Sequence, residues 1–126
     1  MIEVEVTNRS GVAADEDAAR ALARRVLAAQ GVEAGDLGIA FVGPQEIRKL
    51  KAEHLGVDEE TDVLSFPLDA LDDLPAGVPR QLGDVVLCPQ IVGSAWRAPL
   101  VHGLLHLLGF DHGPEMEARE RALLAP

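Results

Sequence analysis

Apolar and acidic residues alternate along Ile2-Glu3-Val4-Glu5-Val6, the period of a strand with one wet face, and predict a strand over 2–6. Beyond the polar loop Asn8-Arg9-Ser10-Gly11 the period lengthens to that of a helix. Asp15 stands where a capping side chain belongs, and Ala18, Leu22, Val26 and Ala29 share one face. Gly31 then stops a helix that runs to about Gln30. Leu37 to Val42 has the content of a second strand. Gly43-Pro44 opens a helix with Ile47 and Leu50 inward, ending by Gly56. Thr61-Asp62-Val63-Leu64-Ser65-Phe66, stopped by Pro67, predicts a third strand.

Residues 68–82 are rich in Asp, Pro and Gly without a period, and are expected to form a surface loop. Gly83-Asp84-Val85-Val86-Leu87 predicts a fourth strand, apolar enough to be central. Pro89 to Arg97 reads as a short helix interrupted by Gly93. Pro99 opens a helix through an almost wholly apolar stretch that ends near Gly109. Pro114 opens a last amphipathic helix through Leu124, with Glu115, Glu117, Arg119, Glu120 and Arg121 expected on its wet side. The order β-α-β-α-β-β-α-α predicts an α+β fold: a single domain over 1–126, with helices packed on one mixed four-stranded sheet.

Composition narrows the class. A chain of 126 residues can bury one real core but not two. It has no apolar run of membrane-spanning length, and its N-terminal alternation is not that of a signal peptide. The lone cysteine, Cys88, excludes an internal disulfide framework and suits a reducing compartment, so a cytoplasmic location is expected. A monomer is the expected state, although the sequence does not fix the oligomeric state. Cys88 itself is expected to be a small buried residue after Val85-Val86-Leu87. The net charge of −10 changes the picture more, because the overall field repels nucleic acid. Any role on RNA must then rest on a local positive site, with a metal ion as its largest charge. Arg20, Arg24 and Arg25 lie on the outer side of the first helix, where a solvated face is the expected role.

The chemistry concentrates in Val101-His102-Gly103-Leu104-Leu105-His106-Leu107-Leu108-Gly109-Phe110-Asp111-His112. On a helix, His102 and His106 sit about one turn apart on the same face, the spacing for two imidazoles to share one ion. An unbroken helix would carry His112 roughly 15 Å from His102. Gly109 removes that difficulty, since glycine at a helix C-terminus takes positive φ and turns the chain back. Three imidazoles with an open fourth position describe a catalytic zinc site, whereas a structural site closes with four protein ligands. One Zn²⁺ on His102, His106 and His112 is therefore expected.

The spacing matches the zinc-protease pattern H-E-x-x-H-x-x-G-x-x-H, in which the glutamate is the general base. Here that position is Gly103, so a peptidase of that mechanism is disfavoured while the zincin-like ligand spacing is kept.

Together with T-D-V-L-S-F at 61–66 and L-G-D-V-V at 82–86, this stretch resembles the YbeY family of metal-dependent, single-strand-specific endoribonucleases. The similarity runs from about Leu37 to Leu124, and His102 to His112 match the signature H-G-x-L-H-L-x-G-[YF]-D-H in full. The resemblance implies a zinc ion on His102, His106 and His112 and a cleft beside the sheet that admits RNA, partly formed by residues 61–66. It implies action in rRNA maturation, including the 3′ end of 16S rRNA, and in ribosome quality control, with single-stranded RNA and the ribosome or its proteins as partners. Two departures stand out. The segment N-x-x-[YF]-R-x-x-D-x-P-T-D carries an arginine that falls at Leu55 here, and its proline falls at Glu60. The segment between Cys88 and His102 is also shorter than in the family, so a helix flanking the cleft is expected to be truncated.

A leucine cannot neutralise phosphate, which leaves Lys51, Arg48 or Arg97 to substitute. Asp62 and Ser65 are candidate substrate-binding residues beside Lys51 and Arg97, although Asp62 equally suits a turn before the strand. Asp111 either accepts the far N–H of a ligand imidazole or serves the turn around it. His54 is expected to be packed or at the surface rather than a fourth ligand. Trp96 is expected in the core, and Glu115 and Glu117 at a solvated helix N-terminus. Zinc would act as a Lewis acid on a phosphoryl oxygen and bring the pKa of its water to about 7. Attack by hydroxide and by the neighbouring 2′-hydroxyl are both open. Two other readings compete: a ribosome-assembly factor with a structural metal, and a metallohydrolase of another substrate.

Overall fold

The computed structural model describes residues 2–59, 61–68 and 80–125. Four strands form one sheet in the order β1-β2-β4-β3, where β1 is Ile2–Asn8, β2 Gly35–Phe41, β3 Val63–Pro67 and β4 Gln81–Leu87. β1 pairs parallel to β2 and β2 parallel to β4, with Val4 opposite Leu37 and Ile39 opposite Val85. β3 runs antiparallel to β4, with Ser65 opposite Val85, so the sheet is mixed as expected. The helices are α1 (Glu16–Ala29), α2 (Pro44–Leu55), α3 (Pro89–Val92), α4 (Arg97–Leu107) and α5 (Pro114–Leu124). No described helix is long and apolar enough to cross a membrane.

The two faces of the sheet carry unequal cores. On one, Val4, Leu37, Ile39, Phe41, Leu82, Val85 and Leu87 meet α1, α4 and Met116 of α5. On the other, Ile47 of α2 closes a smaller cluster with Val42, Leu64, Val86 and Cys88. Cys88 is fully buried, and Trp96 belongs to the larger core. Alternation along β3 divides its side chains accordingly: Val63 packs into the α4 side, and Leu64 and Phe66 into the α2 side.

Several boundaries differ from the sequence reading. Gln81 and Leu82 belong to β4 rather than to the loop expected over 68–82, of which residues 69–79 lie outside the described residues. The Gln81 amide donates to Asp36 (2.9 Å), and the Asp36 N–H donates to the Arg80 carbonyl (2.8 Å). A register shift at Asp36/Leu37 accompanies this pairing, and Leu82 is buried. In α1 the buried face is Ala19, Leu22, Ala23, Val26 and Leu27, so Ala29 is exposed instead of inward. Asp15 does cap this helix, accepting from the Ala18 N–H at 3.1 Å. α4 begins at Arg97 rather than Pro99. Pro99 falls in its first turn, where a missing N–H costs no helical bond. Between Cys88 and α4 the chain forms the four residues of α3 and a single 3₁₀ turn over Gly93–Ala95, the short helix interrupted at Gly93 that the sequence predicts.

α4 is the central element, with Leu100, Val101, Leu104 and Leu105 fully buried between α1, α5 and the sheet. Its backbone meets the sheet at Gly103. A Cβ built there would stand 2.8 Å from Val85 Cγ1 and 3.0 Å from Ser65 Oγ, and the Ser65 hydroxyl donates to the Gly103 carbonyl (3.1 Å). The position held by glutamate in zinc proteases therefore points into β3 and β4, where no side chain fits. Gly103→Ala should destabilise the fold by about 1–3 kcal/mol through overpacking. Urea denaturation measures this as a lower midpoint, and wild-type stability would contradict the close helix–sheet contact.

Candidate metal centre

His102 and His106 stand on the one stripe of α4 left open, together with Ala98 and Pro99. The helix then ends in a turn that recruits the third histidine. The Phe110 N–H donates to the Leu105 carbonyl (3.0 Å) and the Gly109 N–H to the His106 carbonyl (3.0 Å), the paired closure of a Schellman cap. Gly109 takes φ +93°, a conformation that L side chains rarely adopt. The reversal brings the His112 ring within 4.9 Å of His102 and 4.7 Å of His106, centroid to centroid. One ligand nitrogen from each of the three histidines lies within 4.8 Å of the others.

The far side of each α4 imidazole is already engaged. Nδ1 of His106 donates to the Phe110 carbonyl at 2.9 Å, and Nδ1 of His102 donates to the Glu120 carboxylate on α5. A carbonyl and a carboxylate only accept, so in the neutral rings both protons sit on Nδ1 and both Nε2 atoms keep bare lone pairs. These two Nε2 atoms face each other across 3.0 Å. Two lone pairs at that distance repel unless a cation lies against both. Protonating His106 is a poor remedy, because burial pushes its pKa below the ordinary value against the raising effect of the Phe110 carbonyl. His102 and His112 lower it further, and Asp111 raises it. In a tetrahedral zinc shell, donor nitrogens stand roughly 3.3 Å apart. The donor set and its spacing fit a metal ion.

The cleft around these rings has a volume of about 1090 Å³ and runs along β3. Asp62, Ser65, Asp111 and Glu120 line it. Lys51 and Arg97 do not. Lys51 pairs with Glu59 at 2.8 Å, and the Arg97 guanidinium lies 4.5 Å over the Trp96 ring. Arg48, the other candidate replacement for the missing arginine, pairs with Asp58 at 2.7 Å. His54 lines the cleft away from the three clustered histidines and contacts the Phe66 ring.

Glu120 is the residue of this cleft that the sequence reading placed wrongly, on the wet side of α5. The signal was present: Met116, four residues earlier, is fully buried, so Glu120 sits on the inward stripe of an amphipathic helix. Asp111, expected either as partner of a ligand imidazole or as a turn residue, is exposed and makes no hydrogen bond to an imidazole among the described residues. α5 also braces the turn, with the Arg119 guanidinium 4.8 Å over the Phe110 ring and bonded to Gln30 at 2.8 Å.

The family model described as "Endoribonuclease YbeY" matches residues 4–125. A protein of that name from Beutenbergia cavernae is 41% identical over 135 residues, covering 94% of this chain and 89% of its own length. Another from Salinispora tropica is 37% identical over 139 residues, covering 94% and 88%. The solution structure of TM1509 from Thermotoga maritima superposes with a TM-score of 0.61 at 23% identity, covering 95% of this chain and 85% of that one, a likeness of fold.

The carboxylate on His102 gives a direct test. Outer-shell acceptors fix ring orientation, and their loss typically costs about 10–100-fold in metal affinity. Glu120→Ala should weaken zinc binding by that order in competition with a chromophoric chelator, and Glu120→Gln by less, because the amide oxygen still accepts. Unchanged affinity in the alanine variant would contradict the orienting role.

Proposed function

The chain belongs to the endoribonuclease YbeY family, and on that premise we propose that it is a zinc-dependent, single-strand-specific endoribonuclease. Its substrate in this reading is rRNA in the cytoplasm, cut during maturation at the 3′ end of 16S rRNA and in ribosome quality control. The observation that carries the proposal is the pair of bare Nε2 atoms, 3.0 Å apart, beside His112 in an open cleft. Three imidazoles, with no fourth protein ligand clustered with them among the described residues, are the donor set of a catalytic zinc rather than a structural one.

His102, His106 and His112 would hold the ion. Bound there, zinc would supply a Lewis acid for a phosphoryl oxygen and ionise water near neutral pH. The protein's own residues do the positioning. Glu120 and the Phe110 carbonyl fix the tautomer and tilt of two rings before any ion arrives. The Ser65 hydroxyl spends its proton on Gly103, so its oxygen is left to accept from a donor such as a 2′-hydroxyl. Asp62, also in the cleft wall, offers a second acceptor for ribose hydroxyls.

The test is cleavage of a single-stranded RNA by wild-type protein beside His106→Ala, with circular dichroism confirming that the variant folds. Cleavage should fall to background in the variant, stop on chelation of the wild type and return with zinc. Equal cleavage by both, or none by either, would overturn the enzymatic reading and favour an assembly factor whose metal is structural.

A further inference from the structure

The cleft beside the histidines contains no lysine or arginine. All eleven basic residues of the chain lie among the described residues, and none lines it. Its ionisable walls are instead acidic at Asp62, Asp111 and Glu120. The chain as a whole carries −10, so the field offers no compensation. Single-stranded nucleic acid is ordinarily held by two terms, phosphate neutralisation and stacking of bases on planar or apolar side chains. The first is confined in this cleft to the metal position; Arg9 shares an adjoining cavity with His54, Phe66 and Leu68, but is paired with Glu46 at 2.6 Å.

The second has a surface. His54 is exposed and leans on Phe66, with ring centroids 4.8 Å apart and an interplanar angle of 59°. Leu55 and Leu68, 61% and 64% exposed, line the same cleft and add apolar surface beside this pair. All four share the cleft with the three histidines. Leu55 also stands where the family resemblance places an arginine.

We propose that His54, Phe66, Leu55 and Leu68 form a nucleobase-binding subsite, which holds an unpaired base of the RNA in the cleft that also contains the metal centre. The inference rests on the ribonuclease reading above and adds how that substrate is held. The strand is gripped by its bases, and its phosphates meet protein only at the metal centre. Affinity is then nearly independent of salt, and duplex RNA, whose bases are stacked on one another, is excluded.

The test is fluorescence anisotropy of a labelled single-stranded RNA decamer with the zinc-loaded protein between 50 and 300 mM salt, with the oligomer's integrity checked on a gel. Each single-strand phosphate contact contributes a slope of about −0.7 in log K against log salt. The expected slope is no steeper than about −1. An oligomer with abasic sites should bind at background, and His54→Ala should weaken binding on the order of 5- to 100-fold at unchanged melting temperature. Leu55→Arg, at an exposed position, gives a second readout: the slope should steepen by about 0.7. Salt dependence of several phosphate contacts, with abasic RNA and His54→Ala binding like the originals, would overturn the subsite and leave the ribonuclease reading intact. Absence of both binding and cleavage of any RNA would overturn the ribonuclease reading, and the subsite with it.

Discussion

Burial of α4 on every side but one is the constraint from which the site follows. Leu100, Val101, Leu104 and Leu105 are enclosed by α1, α5 and the sheet, and Gly103 presses the helix backbone onto β3 and β4. Only the stripe through Ala98, His102 and His106 remains open. Polar groups that are half-buried against such a core are costly unless they are bonded. The Nδ1 atoms meet that demand through Glu120 and the Phe110 carbonyl, leaving the Nε2 atoms exposed to one another. The fold thus assembles a ligand set whose unmet valence points at a single place. Rigidity comes from the core beneath, because a helix packed on three sides has little room to splay its histidines.

Charge sets the second limit. An acidic chain that acts on a polyanion has to localise attraction, and here the basic residues are spent elsewhere. Arg48 and Lys51 answer Asp58 and Glu59 on the segment after α2, and Arg9 answers Glu46 at 2.6 Å. These are mostly exposed pairs of small energetic value, yet they occupy side chains that would otherwise have been available to phosphate. In the proposed mode of binding, discrimination between nucleic acid and other anions falls to shape and to base contacts rather than to net field.

Much of this was legible in the sequence. The i, i+4 histidines, Gly109 and His112 define the site because helix periodicity and the glycine turn are local rules. The strand and helix order followed from periods of two and about 3.6 residues for the same reason. What escaped depended on tertiary placement. The register shift at Asp36/Leu37 accompanies the early start of β4 at Gln81, and strand pairing across 45 residues has no local mark. Glu120 is 18 residues from His102 and meets it only because α5 folds back across α4. Gly103 was noticed for the glutamate it lacks, whereas its role is the close approach of a helix to a sheet. The candidate substitutes for the missing arginine were reasonable by charge alone. Their ion pairs, and the stacking of Arg97 on Trp96, are set by neighbours that the one-dimensional pattern does not reveal.

The central claim is that three imidazoles, and no other group among the described residues, present donor atoms to one metal ion. X-ray absorption at the zinc edge of the loaded protein tests it most directly. The account predicts one zinc per chain with a shell of four nitrogen or oxygen donors at about 2.0–2.1 Å and scattering from three imidazole rings. A sulfur donor at about 2.3 Å would contradict it, since Cys88 is buried in the cluster beneath α2 on the opposite face of the sheet.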